Sequence, residues 1–351
     1  MALKTSLIKA GFASFALTRL HRPLQRWTRG RGAILTFHRV RPFAPALPGY
    51  APNRLLEITP EFLDAALDII REEGFDVVSL PDAMQRLSEP TARPFIALTF
   101  DDATRDLTQY ALPILERHRA PFAAFVATGF AAQTARLWWL ELEAAIARLD
   151  AIAISTAHLR FQAATKTATQ KSRAFASLYA ALRALPEAQM LEEISALDAI
   201  ANVDPASFAP VHCLDWRGIE KLAGHPLVEI GAHSVSHKML SHWPRAQAMV
   251  EMADSKAELE SRLGRGVNFF AYPVGDARSA GAREFALARE QGFAGAVTTR
   301  PGMIFAGHDA HRHALPRVSV NGLWQSPQAL RILLSGAPLA LWRRGRRIDT
   351  T

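Results

Sequence analysis

The chain has 351 residues, of which 49% are hydrophobic, and a single cysteine, Cys213. This composition excludes mainly disordered, collagen-like and coiled-coil chains, and one cysteine excludes an intrachain disulfide and a cysteine-based zinc module. The net charge of +8 is concentrated at the ends, because residues 1–56 carry ten Lys or Arg and no acid, and residues 343–351 carry four Arg against Asp349. These basic ends favour an anionic membrane surface over nucleic acid as a partner, with solvated surface charge as the alternative.

The first 30 residues predict a basic amphipathic helix that touches a membrane. An uncleaved export signal is the alternative, since Lys4 and Lys9 precede a short apolar run over 10–17. The sequence contains no run of about 18 apolar residues, so no segment of it is expected to span a bilayer. We therefore expect a cytoplasmic protein that contacts the inner membrane peripherally through its basic termini and binds no nucleic acid.

Short β-rich runs alternate along the chain with amphipathic helical stretches. Strands are predicted over 33–37, 75–79, 95–100, 122–127, 227–232, 268–272, 295–298 and 314–318. Helices are predicted from the cap at Thr59-Pro60 up to Gly74, and over 104–118, 244–263 and 280–291. Repeated units with continuous apolar strands predict an α/β fold, an irregular (β/α) barrel of seven to eight parallel strands covered by helices.

Residues 138–210 interrupt this alternation. The segment is rich in alanine and lacks strand-like runs, which predicts inserted helices over 140–149, 164–185 and 186–201. It begins at Trp138-Trp139, two side chains that either stack on a sugar ring or bury the base of the insertion. The expected organisation is a basic segment over 1–30, a barrel over 31–330 that contains the insertion, and a basic tail over 331–351.

Adjacent carboxylates follow the predicted strand over 95–100. Catalytic groups of a parallel barrel lie just beyond the C-terminal strand ends, and Asp101 and Asp102 occupy that position. Neighbouring side chains of an extended chain point in different directions, so one carboxylate can bind a metal ion while the other faces the attacking water. Capping of the next helix is the alternative role for the pair.

Two histidines four residues apart, His233 and His237, follow the predicted strand over 227–232. This spacing places both rings on one side of a helical turn, as in other zinc-binding pairs. With Asp102 they make three protein ligands and leave an open position for water, which is the layout of a catalytic zinc site. The sequence therefore predicts a divalent metal ion, with Zn²⁺ favoured and cobalt and nickel as alternatives.

A third strand end carries Tyr272, followed by Pro273 and the permissive Gly275. A stiff turn of this kind predicts that the backbone N–H of Tyr272 points at a developing oxyanion. An ordinary strand-to-loop turn is the alternative.

These three segments resemble the polysaccharide deacetylases, the NodB-homology or carbohydrate esterase 4 family. The family motif T-F-D-D-G corresponds to residues 99–103, which are Thr-Phe-Asp-Asp-Ala, and H-[ST]-x-x-H is matched in full at 233–237. The third motif, of the R-x-P-Y-G type, becomes Ala-Tyr-Pro-Val-Gly over 271–275. The resemblance covers roughly residues 31–130 and 211–325.

By this resemblance Asp101 is the catalytic base, and the metal ligands are Asp102, His233 and His237. The implied reaction is metal-dependent removal of N-acetyl groups from a polysaccharide or oligosaccharide that contains amino sugars, with release of acetate. Chitin-type oligomers, exopolysaccharides, peptidoglycan fragments and lipid-linked sugars all fit as substrates. A glycan-binding barrel with weak or no catalysis is the alternative function.

Three departures from the family pattern bear on the remaining roles. Ala103 replaces the usual glycine, and the third motif lacks the arginine that holds the base carboxylate; Arg317, at a later strand end, is expected to supply that charge. The last family motif, which normally offers a general-acid histidine, has no clean copy. His38 ends the first strand, and its surroundings resemble the Y-H-x-V start of the biofilm-polysaccharide branch. His38 is therefore the predicted acid, and a structural role at the rim is the alternative. His313 is the second candidate, at the wrong end of its strand.

Overall fold

The structure is a computed structural model that describes residues 11–43, 47–89 and 93–350. Its strands are β1 (Gly32–Phe37), β2 (Arg39–Val40), β3 (Glu57–Ile58), β4 (Asp76–Val78), β5 (Phe95–Phe100), β6 (Phe122–Val126), β7 (Ala151–Ser155), β8 (Arg160–Ala164), β9 (Val228–Ala232), β10 (Phe269–Ala271), β11 (Gly295–Pro301) and β12 (Leu315–Ser319). All eight strands that the sequence predicts are among them.

Seven parallel strands of the described chain close into a barrel in the order β1-β12-β11-β10-β9-β6-β5, with β5 pairing back to β1. Strand β4 lies outside this ring. It pairs with residues 95–97 of β5, whereas β6 pairs with residues 98–100, so the two strands share one edge of β5. Strands β1 and β5 are buried along their whole length, as expected when the barrel interior covers one face and helices cover the other. The predicted irregular barrel is therefore confirmed.

The helices are α1 (His21–Thr28), α2 (Pro60–Glu72), α3 (Leu80–Ser88), α4 (Leu112–Arg117), α5 (Thr128–Ala131), α6 (Trp138–Arg148), α7 (Ala168–Leu182), α8 (Glu187–Ala201), α9 (Phe208–His212), α10 (Trp216–Ala223), α11 (Arg245–Leu263), α12 (Ala282–Glu290), α13 (Pro327–Leu334) and α14 (Ala337–Trp342). Helix α2 begins where its cap predicts, since the Thr59 hydroxyl accepts a hydrogen bond from the N–H of Phe62 at 3.2 Å. The predicted helix over 104–118 instead widens into a π-helical turn over Leu107–Ala111, just before Pro113, which has no N–H to donate.

The inserted segment contains a β-hairpin besides its helices. Strands β7 and β8 pair antiparallel, so the prediction that residues 138–210 lack strands was wrong. Strand β7 alternates small residues with isoleucine, and only Ile152 and Ile154 of it are buried, which is the period of a half-buried strand. Its alanines hide this pattern because they resemble a helix in composition. Helices α6, α7 and α8 pack with the hairpin around an apolar core of their own.

The two ends of the described chain pack against each other. Residues 11–18 are helical and α1 follows, but Arg19 between them has a left-handed φ of 56°, which interrupts the predicted N-terminal helix. The part of that helix over 1–10 lies outside the described residues. The Thr28 hydroxyl at the end of α1 donates to the carbonyl of Ser335 at 2.7 Å, and α1 packs against α14. The predicted basic tail therefore begins as packed helix.

No helix in the described ranges combines the length and the apolar character that crossing a membrane requires.

Candidate active site

A cavity of about 560 Å³ opens at the C-terminal ends of the barrel strands, where parallel barrels place their catalytic groups. The predicted site residues that line it are His38, Asp101, Asp102, His233 and His237. Arg317 lies behind this group against Asp101. Tyr272 is not among the cavity-lining residues. The strand ends thus bring together every predicted site residue except Tyr272.

Asp102, His233 and His237 form a compact set of ligand atoms. Asp102 Oδ1 lies 3.6 Å from His233 Nε2 and 3.4 Å from His237 Nε2, and one ligand atom from each residue lies within 4.8 Å of the others. Asp102 Oδ1 is buried and has no hydrogen-bond partner among the described residues. Such an oxygen is costly to bury unless a cation satisfies it. This donor set therefore fits a divalent metal ion.

Both histidine rings are held in the state that a ligand needs. His233 Nδ1 donates to the carbonyl of Ala271 at 2.6 Å, which leaves the lone pair of Nε2 for a cation. The ring of His237 packs against Trp139 and Phe130, with centroid separations of 4.9 and 5.5 Å. Burial lowers the pKa of both imidazoles to about 4, so both are neutral near pH 7, which is the form that binds metals.

The loops that carry these ligands contain residues with left-handed backbone. Asp102 and Ala103 have φ values of 68° and 44°, and Ser234 and His237 have values of 62° and 58°. Each non-glycine residue in this region costs about 1–2 kcal/mol, and such strain is typical of functional sites. The φ of Ala103 also explains why glycine is the usual residue at this motif position, since glycine adopts that conformation without strain.

Asp101 is held by a buried arginine from the last barrel strand. Arg317 donates through two nitrogens to the two carboxylate oxygens, at 2.7 and 2.6 Å. It also donates to the Thr99 hydroxyl at 3.0 Å and to the carbonyl of Thr298 at 2.8 Å. Burial raises the pKa of Asp101, but the charge of Arg317 and its hydrogen bonds to the carboxylate outweigh burial, and the pKa lies well below its usual range. Asp101 is therefore ionised, and its charge partner is the residue that the sequence suggested.

We expect Arg317→Met to lower the free energy of unfolding by about 3–5 kcal/mol, because it leaves the buried Asp101 carboxylate without its partner. Urea denaturation measures this change. The matched control is Arg331→Met, which breaks an exposed ion pair with Glu72 and Glu73 and is expected to cost about 1 kcal/mol or less. Equal losses in the two variants would contradict the assignment of Arg317 as the essential partner.

Of the two candidate acids, only His38 is in the cavity. His38 Nε2 lies 3.9 Å from Asp101 Oδ2, and its side chain is 19% exposed, so it reaches both the carboxylate and the cavity space. His313 precedes β12, and its Nε2 is hydrogen-bonded to the carbonyl of Phe293 at 2.8 Å. It therefore lies at the other end of the barrel, as its place before the strand indicated.

The prediction that the Tyr272 N–H serves an oxyanion was wrong. That N–H donates to the carbonyl of Val297 at 3.1 Å, which extends the pairing of β10 with β11. The ring is buried between barrel and helix, where its hydroxyl donates to the carbonyl of His313 at 2.8 Å.

The sequence did not predict a role for Val274. This residue lines the cavity and has a φ of 60°, and its N–H has no acceptor among the described residues. Its motif position, occupied by tyrosine in the R-x-P-Y-G pattern, was the available signal.

The tryptophans at the start of the insertion are buried. Trp138 is 6% exposed and Trp139 is 8% exposed. Trp138 stacks on Tyr179 at 5.0 Å and meets Trp139 edge-on at 6.0 Å. Of the two roles open for this pair, the structure shows burial at the base of the insertion, with part of each side chain in the cavity wall.

Similarity to known proteins agrees with this geometry. The sequence profile of the polysaccharide deacetylases matches residues 88–293, more than half of the chain. The chain belongs to the polysaccharide deacetylase family. It is accordingly a hydrolase that acts on carbon–nitrogen bonds other than peptide bonds. No curated protein sequence matches it significantly.

Solved structures share the barrel fold at low sequence identity. The Streptococcus pyogenes deacetylase PplD in complex with acetate is 20% identical, with a TM-score of 0.55 over 85% of this chain and 95% of that chain. IcaB from Ammonifex degensii is 16% identical, with a TM-score of 0.52 over 87% and 96% of the two chains. A polysaccharide deacetylase from Bacillus cereus is 13% identical, with a TM-score of 0.51 over 85% and 68%. These likenesses show a common fold.

Proposed function

We propose that this polysaccharide deacetylase family member is a metal-dependent enzyme that removes N-acetyl groups from an amino-sugar-containing polysaccharide or oligosaccharide and releases acetate. The observation that carries the proposal is the ligand set of Asp102, His233 and His237 beside an ionised Asp101 in one cavity. Asp102, His233 and His237 would hold the divalent ion, with Zn²⁺ favoured, which when bound supplies Lewis-acid polarisation of the acetamido carbonyl and of water.

The remaining roles follow from the contacts and positions of the groups around the ligand set. Asp101 accepts the proton of the attacking water, and Arg317 keeps that carboxylate ionised and oriented. The N–H of Val274 donates to the carbonyl oxygen as negative charge develops there. His38 gives a proton to the departing sugar amine, since it lies in the cavity near Asp101. The bond broken is the amide C–N bond, and the products are acetate and a free amino sugar.

Acetate release from a panel of N-acetylated glycans tests the proposal, with chitin oligomers, peptidoglycan fragments and exopolysaccharide as substrates. We expect release on at least one substrate, loss of release after dialysis against a chelator, and recovery on adding Zn²⁺. The second candidate, a glycan-binding barrel with weak or no catalysis, is favoured by the strained Ala103 and by the third motif, which lacks its arginine. A chain that binds metal and glycan but releases no acetate from any substrate would establish that candidate instead.

We also propose that the basic ends contact an anionic membrane surface. On α1 and its cap, Leu20, Pro23 and Trp27 follow the i, i+3, i+7 spacing of one helix face, and the outer two are each 53% exposed. Arg22 and Arg26 lie beside that row and are exposed. Apolar side chains next to a basic row are typical of helices that lie in a membrane interface.

We expect Arg22→Gln with Arg26→Gln to lower partitioning onto phosphatidylserine-containing vesicles by about 30-fold, since each basic residue near such a surface contributes about 1 kcal/mol. Vesicle sedimentation at low and high salt measures the change. The control is Arg160→Gln with Arg173→Gln, which removes the same charge from exposed positions of the insertion. Equal partitioning of both double variants would show that net charge, and not the terminal surface, drives any binding.

A further inference from the structure

Beyond the catalytic cluster, the walls of the cavity are mostly apolar. One wall belongs to the insertion, and the other comes from the 3₁₀ turn over Pro52–Leu56 and from the loop after β10. The apolar and aromatic side chains on these walls include Leu55, Leu56, Trp138, Trp139, Phe175 and Tyr179. A volume of about 560 Å³ is within the range of ordinary ligand pockets, so this space is large enough to hold part of a substrate.

Several of the polar side chains on these walls are already occupied by partners within the chain. The Asn53 amide donates to the carbonyl of Trp139 and to the carboxylate of Glu143, at 2.9 and 2.7 Å. The Ser172 hydroxyl donates to a carbonyl of its own helix at 2.8 Å, and the Thr299 hydroxyl donates to the carbonyl of Val274 at 2.6 Å. These groups therefore have little capacity left to donate to the hydroxyls of a glycan.

A second sugar unit fits such walls poorly. Each hydroxyl that loses water and finds no partner costs about 1–3 kcal/mol. Aromatic rings can compensate by stacking on sugar faces, but the cavity-lining rings of Trp138, Trp139 and Tyr179 already pack on one another, on His237 and on Phe175. A hydrocarbon chain has no hydroxyls to satisfy and gains free energy from every methylene that it buries.

The mouth of the cavity is also apolar and lies beside the N-terminal segment. Leu55 lines the cavity and is 42% exposed, and Leu323 is 50% exposed. The two are close in space, since the N–H of Gly322 donates to the carbonyl of Leu55 at 3.0 Å. Trp324, which follows Leu323 in the chain, stacks on Phe12 in helical residues 11–18 at 4.7 Å. The cavity therefore opens next to helical residues 11–18, which lead into the basic and apolar surface of α1 for which we propose membrane contact.

We infer that the cavity receives an apolar chain carried by the substrate, so that the substrate is a lipid-linked N-acetylated amino sugar. This inference rests on the proposed deacetylase function and names its substrate class. The catalytic groups at the cavity floor act on the acetamido group, while the walls from the insertion and the turn over Pro52–Leu56 hold the chain. A membrane-borne substrate would present such a chain at the mouth, beside Leu55 and Leu323.

A chain-length series in the wild-type protein tests the inference. The first arm uses methyl, butyl, hexyl and octyl glycosides of N-acetylglucosamine, each below its micelle concentration, with chitotetraose as the polar reference. The second arm uses the methyl glycoside of glucosamine with N-acyl groups from acetyl to octanoyl, and free amine is measured in both arms. We expect kcat/KM in the first arm to rise about three- to fourfold per added methylene until the cavity is full, because that is what burying each methylene contributes.

Two variants locate the effect in the cavity. Ala176 lines the wall on α7, so Ala176→Phe fills that space and is expected to lower the octyl-to-methyl ratio of kcat/KM at least about tenfold. Ala180→Phe, one turn further along the same helix at an exposed position outside the cavity, is the matched control and should keep the wild-type ratio. Leu55→Gln at the exposed mouth is a second variant that does not disturb the core, and it should lower the ratio in the same direction.

The outcomes separate this inference from the proposed function. A rise with chain length in the first arm supports a lipid-linked sugar, and a rise confined to the second arm would place the apolar chain on the amide and overturn the lipid linkage. Amine release that does not depend on chain length, or that is fastest on chitotetraose, would overturn the inference and leave the deacetylase function standing. No release above the Asp101→Asn background on any substrate would overturn both.

Discussion

Replacing Asp101 by asparagine is expected to lower kcat for acetate release by about 10³-fold while about one metal ion per chain stays bound. A positioned general base contributes about 10²–10⁴-fold to the rate, and asparagine cannot accept the proton. Asp101 lies beside the ligand set of Asp102, His233 and His237 without being part of it. Rates of acetate release and elemental analysis of the purified variant measure the two halves of this expectation.

The same change leaves the buried guanidinium of Arg317 without its counter-charge, so the variant is also expected to be less stable by about 3 kcal/mol or more. The double variant Asp101→Asn with Arg317→Met removes both charges, and we expect it to recover part of that stability and to remain inactive. If the double variant recovers stability and is still inactive, the loss of rate in Asp101→Asn does not come from unfolding. Retained activity in Asp101→Asn would reject Asp101 as the base, and loss of metal together with activity would exchange the roles of Asp101 and Asp102.

The second large effect is expected from the double variant His233→Ala with His237→Ala. Wild-type protein should contain about one divalent ion per chain and the variant close to none, since only Asp102 Oδ1 would remain of the three ligand atoms. Acetate release should fall to background because the polarisation of water and carbonyl is lost with the ion. Elemental analysis of protein purified without added chelator gives the metal content directly.

The control for this variant is His225→Ala with His242→Ala, which removes two histidines that do not line the cavity. It should keep the wild-type metal content and activity. Equal and negligible metal in wild type and variant, even after incubation with Zn²⁺, would mean that the Asp and His segments are structural here. The family resemblance would then describe the fold and not the chemistry.

The clustering of the candidate site residues could be predicted, because a parallel barrel brings the C-terminal ends of its strands to one rim. Asp101, Asp102, His233 and His237 each follow an apolar run, and parallel strands end at one rim of the barrel. The pairing of Arg317 with Asp101 could be anticipated for the same reason, since both side chains stand at strand ends and the third motif lacks its own arginine. Opposite charges at one buried rim are expected to pair.

The features that the sequence did not predict depend on strand pairing and packing, which a pattern of apolar residues does not define. Whether the N–H of Tyr272 or that of Val274 is free depends on where the pairing of β10 with β11 stops, and the pattern of apolar residues in a sequence does not define that residue. The hairpin of β7 and β8 was hidden because alanine is compatible with helix and strand alike. The mostly apolar walls of the cavity could not be predicted from the sequence, since they form only when the insertion packs over the barrel rim.

The ion pair between Asp101 and Arg317 can form only late in synthesis. The two residues are 216 positions apart, and β1 lies between their strands in the sheet, so the pair bridges the seam at which the first and last strands of the ring meet. Chains emerge from the N-terminus first. A nascent chain that has emerged as far as residue 300 already carries Asp102, His233 and His237, yet the carboxylate of Asp101 has no guanidinium partner. The candidate site is therefore completed only by the strand that closes the ring, so we expect activity to appear only after that closure.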